Sequence, residues 1–257
     1  MIESLYIAET GMNSQQKLIE VISNNIANAS TPGYKQTSVN FVDLVYSPNQ
    51  AQVTAEQRSA LQNGIGVQVH STSTNFSAGE YKQTNNAFDV AINGKGFFEV
   101  TTDDGSTAYT RAGRLRLDKN GYLATSLGNK LTSSIQIPPD AKGFVITQSG
   151  NVLIKLDGEA EMIQLGQIDL VNFNNPDALQ STGQNLYVST EQAGQATYAQ
   201  PGESGMGNIL QGFTEMSNVS MTEEMVNLML AQRGYQLNAR IIQVSDQILE
   251  TINNLRR

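Results

Sequence analysis

The amino-acid sequence predicts an α+β fold, with one discontinuous α-helical coiled-coil domain built from both ends of the chain and a mainly antiparallel β domain between them. Two observations predict it. Apolar residues recur every three or four positions near both termini, whereas the central part alternates polar and apolar residues between glycine-containing turns. The predicted parts are an N-terminal helix in residues 1–35, a connecting segment with an insertion in 36–74, a central β domain in 75–207 and a C-terminal helix in 208–257.

Composition excludes several classes of function. The chain has 257 residues, a net charge of −8 and no cysteine. Nucleic-acid binding needs clustered Lys and Arg, and disulfides or thiolate metal sites need cysteine, so we expect none of these. No apolar run is long enough to span a membrane, and we expect no membrane insertion. The N-terminal segment lacks the uninterrupted apolar core of a signal peptide, so we expect any export to use another route.

The first predicted helix covers residues 2–29. Its apolar positions follow a period of about 3.5, which is that of a coiled-coil seam. Asn24, Asn25 and Asn28 are mediocre helix formers; they either form hydrogen bonds to neighbouring helices or are tolerated surface residues. Pro32 pushes Thr31 out of helical geometry and ends the helix. The seam residues are Leu5, Ala8, Met12, Ile19, Ile22, Ile26 and Ala29.

The connecting segment has a mixed pattern. Phe41, Leu44 and Val45 could form a short helical turn. Residues 47–59 are polar, as in functional loops or loops that are disordered in the free protein. His70, the single histidine, lies in an alternating stretch, so we interpret it as an exposed strand residue rather than a catalyst or ligand.

The region from about residue 75 to residue 198 alternates short strands with tight turns. Asn-Gly and Asp-Gly pairs between apolar runs are hairpin signals, because both residue types tolerate positive φ. Residues 199–207 contain one proline and three glycines, and we interpret them as a linker to the C-terminal helix. The predicted strands lie near residues 90–92, 97–100, 114–117, 152–154 and 168–171, with turns at 93–94, 103–105, 119–121, 149–150 and 174–176.

The last predicted helix, residues 221–257, is about 50 Å long and carries apolar stripes on two nearly opposite sides. Ser220 and Glu223 form a capping box at its start, and Gly234 weakens it by about 1 kcal/mol relative to alanine. A helix that is apolar on two faces has to be covered on both. One stripe contains Met221, Met225, Leu228, Tyr235, Ala239, Ile242 and Leu249, and the opposite one contains Val226, Leu230, Leu237, Ile241, Val244, Ile248 and Leu255.

The residues offer little that could support catalysis. No His, Cys, Asp or Glu cluster has metal-ligand spacing, and Gly94-Lys95-Gly96 lacks the remainder of a phosphate-binding loop. Asp118 begins a fragment of a calcium loop whose closing glutamate is absent, which favours a hairpin turn. Asp103 and Asp104 are adjacent and fit a turn better than an acid–base pair. We therefore expect a protein that is not an enzyme and needs no cofactor or metal.

Several segments together resemble the bacterial flagellar basal-body rod and hook proteins. NNIAN (24–28) followed by TPGYK (31–35) resembles the N-terminal motif of this family. NAFDVAINGKGFF (86–98) and YTRAG (109–113) resemble its β domain, and QGFTEMSNV (211–219), EEMV (223–226) and QRGYQ (232–236) resemble its C-terminal motif. The motifs cover most of the chain in the right order. Length and the segment after Tyr46, which corresponds to a rod-type insertion, are most similar to the distal-rod members.

The resemblance implies a structural subunit of the flagellar rod, whose paired terminal helices assemble into a tubular drive shaft that transmits torque from motor to hook. Its implied partners are further copies of itself in a helical polymer, other rod proteins, the hook protein, the flagellar export apparatus, and rod cap and ring proteins. It also implies type III export without a cleaved signal peptide, to a place outside the cytoplasmic membrane. Candidate assembly residues are Leu5, Ala8, Met12, Ile19, Ile22, Asn24, Asn25, Ile26, Asn28, Met225, Val226, Leu228, Leu230, Tyr235, Leu237, Ile241, Ile242, Ile248 and Leu249.

Three alternatives remain open at this point. The chain could be a proximal-rod or hook-type member of the same family. It could be a secreted binding module whose β domain holds a ligand and whose helices only oligomerise it. An enzyme that uses acidic residues, such as a cell-wall hydrolase, would need Asp103 or Asp104 for turnover.

Overall fold

The fold is described from a computed structural model, which covers residues 2–46, 63–102, 104–156 and 161–255. The chain divides into two compact units. The helical unit comprises residues 1–27, 37–73 and 220–257, and the β unit comprises residues 28–36 and 74–219. The α+β class is therefore as predicted. The predicted polar loop at 47–59 and Asp103 lie outside the described residues.

The helical unit contains two long helices, α1 (Ile2–Ala27) and α2 (Met221–Leu255). The backbone N–H of Glu223 donates a 3.5 Å hydrogen bond to Ser220 Oγ, so Ser220 caps α2 as the sequence predicts. The two helices pack against each other in antiparallel orientation, because Gly11 lies against Asn238 and Gln15, further along α1, lies against Gly234. No helix in the described part of the chain is long and apolar enough to cross a membrane.

A two-stranded sheet completes the helical unit. It consists of β1 (Thr37–Tyr46) and β2 (Asn63–Thr74). The predicted helical turn at Phe41, Leu44 and Val45 is wrong, because β-branched residues predominate in this segment and the backbone pairs with β2. The prediction for His70 is confirmed, since it lies exposed on β2.

The β unit is built from sixteen short strands, which pair antiparallel in every register that is described. Its largest sheet has seven strands in the order β14-β15-β6-β5-β9-β8-β7, and β10-β11-β12 form a three-stranded sheet. The remaining pairs are β13-β16, β17-β4 and β18-β3. The strands are β3 (Tyr81–Gln83), β4 (Val90–Asn93), β5 (Phe98–Thr101), β6 (Thr107–Thr110), β7 (Leu115–Leu117), β8 (Leu123–Thr125), β9 (Lys130–Leu131), β10 (Ala141–Ile146), β11 (Asn151–Leu156), β12 (Ile163–Gln167), β13 (Leu170–Asn172), β14 (Gln180–Gly183), β15 (Leu186–Val188), β16 (Thr197–Ala199), β17 (Asn208–Gln211) and β18 (Phe213–Glu215).

Three of the five predicted hairpin turns are present, and two are not. The turns near residues 103–105, 119–121 and 149–150 join the paired strands β5–β6, β7–β8 and β10–β11. Asn93-Gly94 does not join paired strands, because β4 pairs with β17 while β5 pairs with β6 and β9. Gly94 has a φ of 125° and lies against Gly207, so this glycine allows two backbone segments to approach closely rather than forming a hairpin. Asn174-Asn175-Pro176 lies between β13 and β14, which do not pair with each other, because β13 pairs with β16 and β14 pairs with β15.

The predicted linker at residues 199–207 does not lead directly into the C-terminal helix. β17 and β18 follow it and close the β unit against β4 and β3. Residues 208–215 are therefore strands rather than part of the predicted C-terminal helix, because the apolar Ile209 fills the core beside Ile92. The core of the β unit has a larger aliphatic cluster, which includes both of these residues, and a smaller aromatic one around Phe97, Tyr109, Phe173 and Tyr187.

Candidate assembly surface

The side of α2 that packs against α1 is polar and small for a helix interface. Glu224, Ala231 and Ser245 are buried there, at intervals of seven and fourteen residues, which are multiples of the seven-residue repeat of a coiled-coil seam. Half-buried residues lie between them, namely Leu228, Tyr235, Asn238 and Ile242. On α1 the buried residues are Ala8, Ser14, Ile22 and Asn25. The interface therefore contains only a thin line of large apolar side chains.

Asn25 connects three elements of the helical unit. Its side-chain amide donates to the carbonyl of Thr37 at 2.8 Å and to Glu224 Oε1 at 3.1 Å. Its Oδ1 accepts from the backbone N–H of Thr37 at 3.0 Å. The side chain thus pairs with the first residue of β1 as a strand would, and at the same time contacts α2. Because Asn25 and Glu224 are 1% and 2% exposed, loss of either group would leave buried polar atoms behind.

The opposite side of α2 carries a continuous apolar stripe that is open to solvent. We call it the outer stripe; its members are Val226, Leu230, Leu237, Ile241, Val244, Ile248 and Leu255, which are 45–82% exposed. From Val226 to Leu255 it extends over roughly 45 Å of helix. Exposed apolar surfaces of this length are uncommon on monomeric proteins and are typical of interaction sites.

The predicted assembly residues fall into groups with different surroundings. Ala8, Ile22 and Asn25 are buried, and Leu5, Met12, Ile19, Ile26, Asn28, Leu228, Tyr235 and Ile242 are half-buried. Asn24 is exposed, as are Met225, Val226, Leu230, Leu237, Ile241, Ile248 and Leu249. Asn28 lies in the β unit, where its Oδ1 accepts from Thr31 Oγ1 at 3.2 Å. The structure places the rest on the two helices of one unit, but whether they form an assembly interface stays a prediction.

Sequence reasoning missed the polar and small members of the α2 seam. Glu224, Ala231, Asn238 and Ser245 repeat with Leu228, Tyr235 and Ile242 at steps of three and four, and this repeat was a signal that could have found them. The prediction relied on large apolar residues instead. It therefore placed Met221 and Met225 in the same stripe as Leu228, although both are at least 46% exposed.

A second group that sequence reasoning missed is a buried ion cluster in the β unit. Lys35 Nζ lies 2.6 Å from Glu215 Oε1, and Arg111 Nη1 lies 3.5 Å from Glu215 Oε2. The side chains of Lys35 and Glu215 are 0% exposed and that of Arg111 is 4% exposed. Two cations thus share one carboxylate in the protein interior. Charges this deeply buried need both counter-ions and hydrogen bonds.

Backbone groups supply the remaining hydrogen bonds of the cluster. Lys35 Nζ donates to the carbonyl of Ser77 at 2.7 Å, and Arg111 Nη2 donates to that of Gly94 at 2.8 Å. The N–H of Gly79 donates to Glu215 Oε1 at 3.1 Å. Burial lowers the pKa of Lys35 and of Arg111, and the nearby Glu215 carboxylate opposes both shifts.

The cluster anchors the segment that follows α1 within the β unit. Gly33 N–H donates to the backbone carbonyl of Glu215 at 2.9 Å, and Gln36 N–H donates to Asn218 Oδ1 at 2.8 Å. Asn218 in turn donates to the carbonyl of Asn75 at 2.9 Å. The chain leaving the N-terminal helix is therefore fixed to the segments that lead towards the C-terminal helix. Within the described residues, no group of His, Asp or Glu has the arrangement of a metal site.

Comparison with known protein families gives three matches in separate parts of the chain. The family described as "Flagella basal body rod protein" matches residues 5–35. The family described as "Flagellar hook protein FlgE/F/G D1 domain" matches residues 91–154. The family described as "Flagellar basal body rod FlgEFG protein C-terminal" matches residues 210–255. Lys35, Arg111 and Glu215 each lie inside one of these three matched ranges.

Curated relatives match over the full length. The flagellar basal-body rod protein FlgG of Buchnera aphidicola subsp. Schizaphis graminum is 41% identical over 260 residues, which is 99% of this chain and 100% of that protein. FlgG of Bacillus subtilis (strain 168) is 41% identical over 266 residues, with all of both chains covered. The flagellar hook-basal body complex protein FlhP of the same strain is 31% identical over 276 residues, again with full coverage.

Proposed function

The chain belongs to the flagellar basal-body rod and hook protein family, as a structural subunit of the distal rod rather than an enzyme, and we propose that its two terminal helices build the rod by self-assembly. In this proposal α1 and α2 form an intrachain coiled coil. Copies of the pair then pack side by side into a tube, and the outer stripe of α2 forms the contact between copies. The observation that carries the proposal is the exposure of this stripe along most of α2.

Burial of the outer stripe supplies a driving force for assembly. Its side chains are about half exposed, so each contributes on the order of 1 kcal/mol when a neighbouring copy covers it. In this proposal the stripe contacts a different surface of the next copy, which makes the contact head-to-tail. Such contacts produce an open helical polymer when the rotation between copies does not close a ring, and a shaft requires this arrangement. A polymer held in this way would transmit torque from the motor to the hook.

The proposal extends to partners and location. We infer that the subunit contacts other rod proteins and the hook protein at the two ends of its polymer, with rod cap and ring proteins nearby. We also infer that the flagellar type III apparatus exports it, without a cleaved signal peptide, to the outside of the cytoplasmic membrane. Support comes from family membership.

The test separates the contact between copies from the helix pair inside one copy. Leu228 and Ile242 are unsuitable for it, because they are half-buried on the α1 side and their polar replacement would disturb the pair itself. Leu237 is 63% exposed on the outer stripe. Leu237→Asp should raise the protein concentration needed for polymerisation at least tenfold, since a loss of about 1.4 kcal/mol per contact is a factor of ten.

Gln236→Asp is the matched control, because Gln236 is exposed next to Leu237 but points away from the outer stripe. It adds the same charge to the same helix and should polymerise as the parent chain does. Polymer is measured by sedimentation and electron microscopy, and helix content by far-UV circular dichroism. Normal tubes from Leu237→Asp at unchanged concentration would overturn the proposal.

A further inference from the structure

Two reciprocal contacts join α1 and α2 near the middle of the helical unit. A Cβ atom added at Gly11 would lie 2.7 Å from Asn238 Nδ2, and one added at Gly234 would lie 3.1 Å from Gln15 Cδ. Each glycine therefore makes room for an amide side chain of the other helix. This explains why glycine stands at position 234 inside a long helix, where it costs about 1 kcal/mol relative to alanine.

A third polar contact follows the same alignment. Asn25 and Glu224 are hydrogen-bonded, as described above. In all three contacts the two residue numbers add up to 249, which is the signature of one fixed antiparallel register. The contacts begin at Gly11 and end at Asn25, so they mark this register along roughly 20 Å of helix.

The apolar part of the seam does not select a register by itself. The large apolar side chains on this side of α2, namely Leu228, Tyr235 and Ile242, are spaced by seven residues, so a slip of one heptad would return each to an equivalent position. In coiled coils, a buried polar residue in such a thin seam selects the register and lowers stability in exchange. The three polar contacts have the positions that this role requires.

A slip of one heptad disrupts the contacts in either direction. In one direction Asn238 faces Leu18 and Gly234 faces Ile22, which buries an amide against an aliphatic side chain and crowds a second one onto the glycine. In the other direction Gly11 faces Ala231 and Gly234 faces Ala8, which leaves small residues opposite small residues and opens voids. Both outcomes cost free energy.

We infer that Asn238 over Gly11, Gln15 over Gly234 and Asn25 on Glu224 together determine the register of the intrachain helix pair. The consequence of this register rests on the proposed function, because the outer stripe lies on α2 alone. A heptad slip would move that stripe by about 10 Å along α1. Copies in different registers would then present different surfaces and could not enter one lattice.

The register is measured as a distance within one full-length chain. Asn13→Cys and Gln247→Cys place spin labels on exposed positions of α1 and α2 that lie at different levels along the pair, so an axial slip changes their distance. The chain has no other cysteine. Labelled chains are diluted with unlabelled ones, so that electron–electron distances are intramolecular. The measurement is made on the free chain and on its polymer. We expect one narrow distance in at least one of the two samples, and broad distributions in both would overturn the inference.

The decisive variant is Gln15→Leu/Asn238→Leu. It should show a second distance that corresponds to an axial offset of about 10 Å, while the midpoint of thermal unfolding stays equal or rises. Gln16→Leu/Gln243→Leu makes the same changes at exposed positions and should keep the single distance. A single, unshifted distance in Gln15→Leu/Asn238→Leu would overturn the inference. The proposed function has a separate readout, since Leu237→Asp is scored by polymerisation and the distance is measurable without polymer.

A rescue variant covers the case in which a changed seam does not fold. Gly11→Asn alone brings two amides face to face and should broaden the distance distribution. Gly11→Asn/Asn238→Gly exchanges the small and large partners at the same level and should restore one narrow distance. If the distance distribution of Gly11→Asn/Asn238→Gly is as broad as that of Gly11→Asn, the contact between positions 11 and 238 does not determine the register.

Discussion

Lys35 and Glu215 form a fully buried ion pair, with Nζ and Oε1 2.6 Å apart, although 180 positions separate them in the chain. Arg111 reaches the other carboxylate oxygen and also donates to the carbonyls of Ile92 and Gly94. Lys35, Arg111 and Glu215 lie in three of the segments that resemble the rod and hook family, 31–35, 109–113 and 211–219, and Arg111 also contacts carbonyls of a fourth, 86–98. The cluster therefore joins residues from the beginning, middle and end of the chain.

Removal of the carboxylate should cost more than removal of either cation. Glu215→Gln leaves two buried cations without an anion, and we expect it to lower the free energy of unfolding of the β unit by about 3–5 kcal/mol. Lys35→Met leaves one cation with one carboxylate, and we expect it to lower the free energy of unfolding of the β unit by about 1–3 kcal/mol. Amide hydrogen exchange of β-unit peptides in the full chain measures both.

Two surface substitutions serve as controls for this comparison. Glu80→Gln makes the same change at an exposed position, and Lys130→Met breaks an ion pair to Asp118 with a distance of 3.8 Å and a half-exposed lysine. Both should change the free energy of unfolding by less than about 1 kcal/mol. If Glu215→Gln changed the free energy of unfolding as little as Glu80→Gln does, the buried cluster would not stabilise the β unit.

The stability of Glu215→Gln should rise with pH. Burial already lowers the pKa of Lys35, and the carboxylate that opposes this shift is absent in the variant. The folded state then releases the Lys35 proton at a lower pH than the unfolded state does. Between the folded-state pKa and the ordinary value of 10.5, the unfolded state binds more protons, so stability increases with pH in that window.

Urea unfolding at several pH values from 7 to 10 measures this recovery. Glu215→Gln combined with Lys35→Met is the control, because it lacks the titrating lysine and should show a smaller rise. Equal pH dependence of the two variants would show that Lys35 does not cause the recovery.

Gly113 lies where a strand passes directly over its Cα atom. A Cβ atom added there would clash with the carbonyl oxygen of Val90, whose N–H donates a hydrogen bond to the Gly113 carbonyl. Gly113→Ala should therefore displace backbone and destabilise the β unit by at least about 3 kcal/mol. Gly64→Ala is the control, since nothing lies within 4 Å of its added Cβ. Equal hydrogen-exchange protection in the two variants would contradict the expected clash.

The sequence predicts the elements of this fold better than their partners. Both terminal helices and three of the five predicted hairpin turns follow from local chemistry, since helical spacing and positive-φ residues act over a few positions. The prediction of a hairpin at Asn93-Gly94 was wrong, because the glycine there permits a close approach to Gly207, which is remote in sequence. The strands β17 and β18 were missed for the same reason, as their partners β4 and β3 lie more than a hundred residues earlier.

The residues of the candidate assembly surface also divide into those that the sequence predicts and those that it does not. The outer stripe was predictable, because large apolar residues repeat on one side of α2. The seam that faces α1 was only partly predictable, because Glu224, Asn238 and Ser245 carry no apolar signal and their place depends on the other helix. For the asparagines of α1, hydrogen bonding to a neighbouring helix is confirmed for Asn25, whose amide reaches Glu224 on α2.

A carboxylate in place of the Asn25 amide should make the helical unit sensitive to pH. In Asn25→Asp, an acceptor replaces the amide group that lies 3.1 Å from Glu224 Oε1. Two buried carboxyl groups at this distance share one proton, so the folded-state pKa of the pair rises above the unfolded value of about 4. A raised pKa means that stability is present below the unfolded pKa and is lost as pH rises through the folded pKa.

We therefore expect Asn25→Asp to be destabilised at pH 7, and to recover as the pH is lowered towards about 4. Hydrogen exchange of peptides from α1, β1 and α2 measures the loss, corrected for the pH dependence of intrinsic exchange. Asn13→Asp is the control, because Asn13 is exposed on the same helix. Asn25→Asp/Glu224→Gln removes the second carboxylate and should abolish most of the pH dependence. If the double variant keeps it, the contact between Asn25 and Glu224 is not its cause.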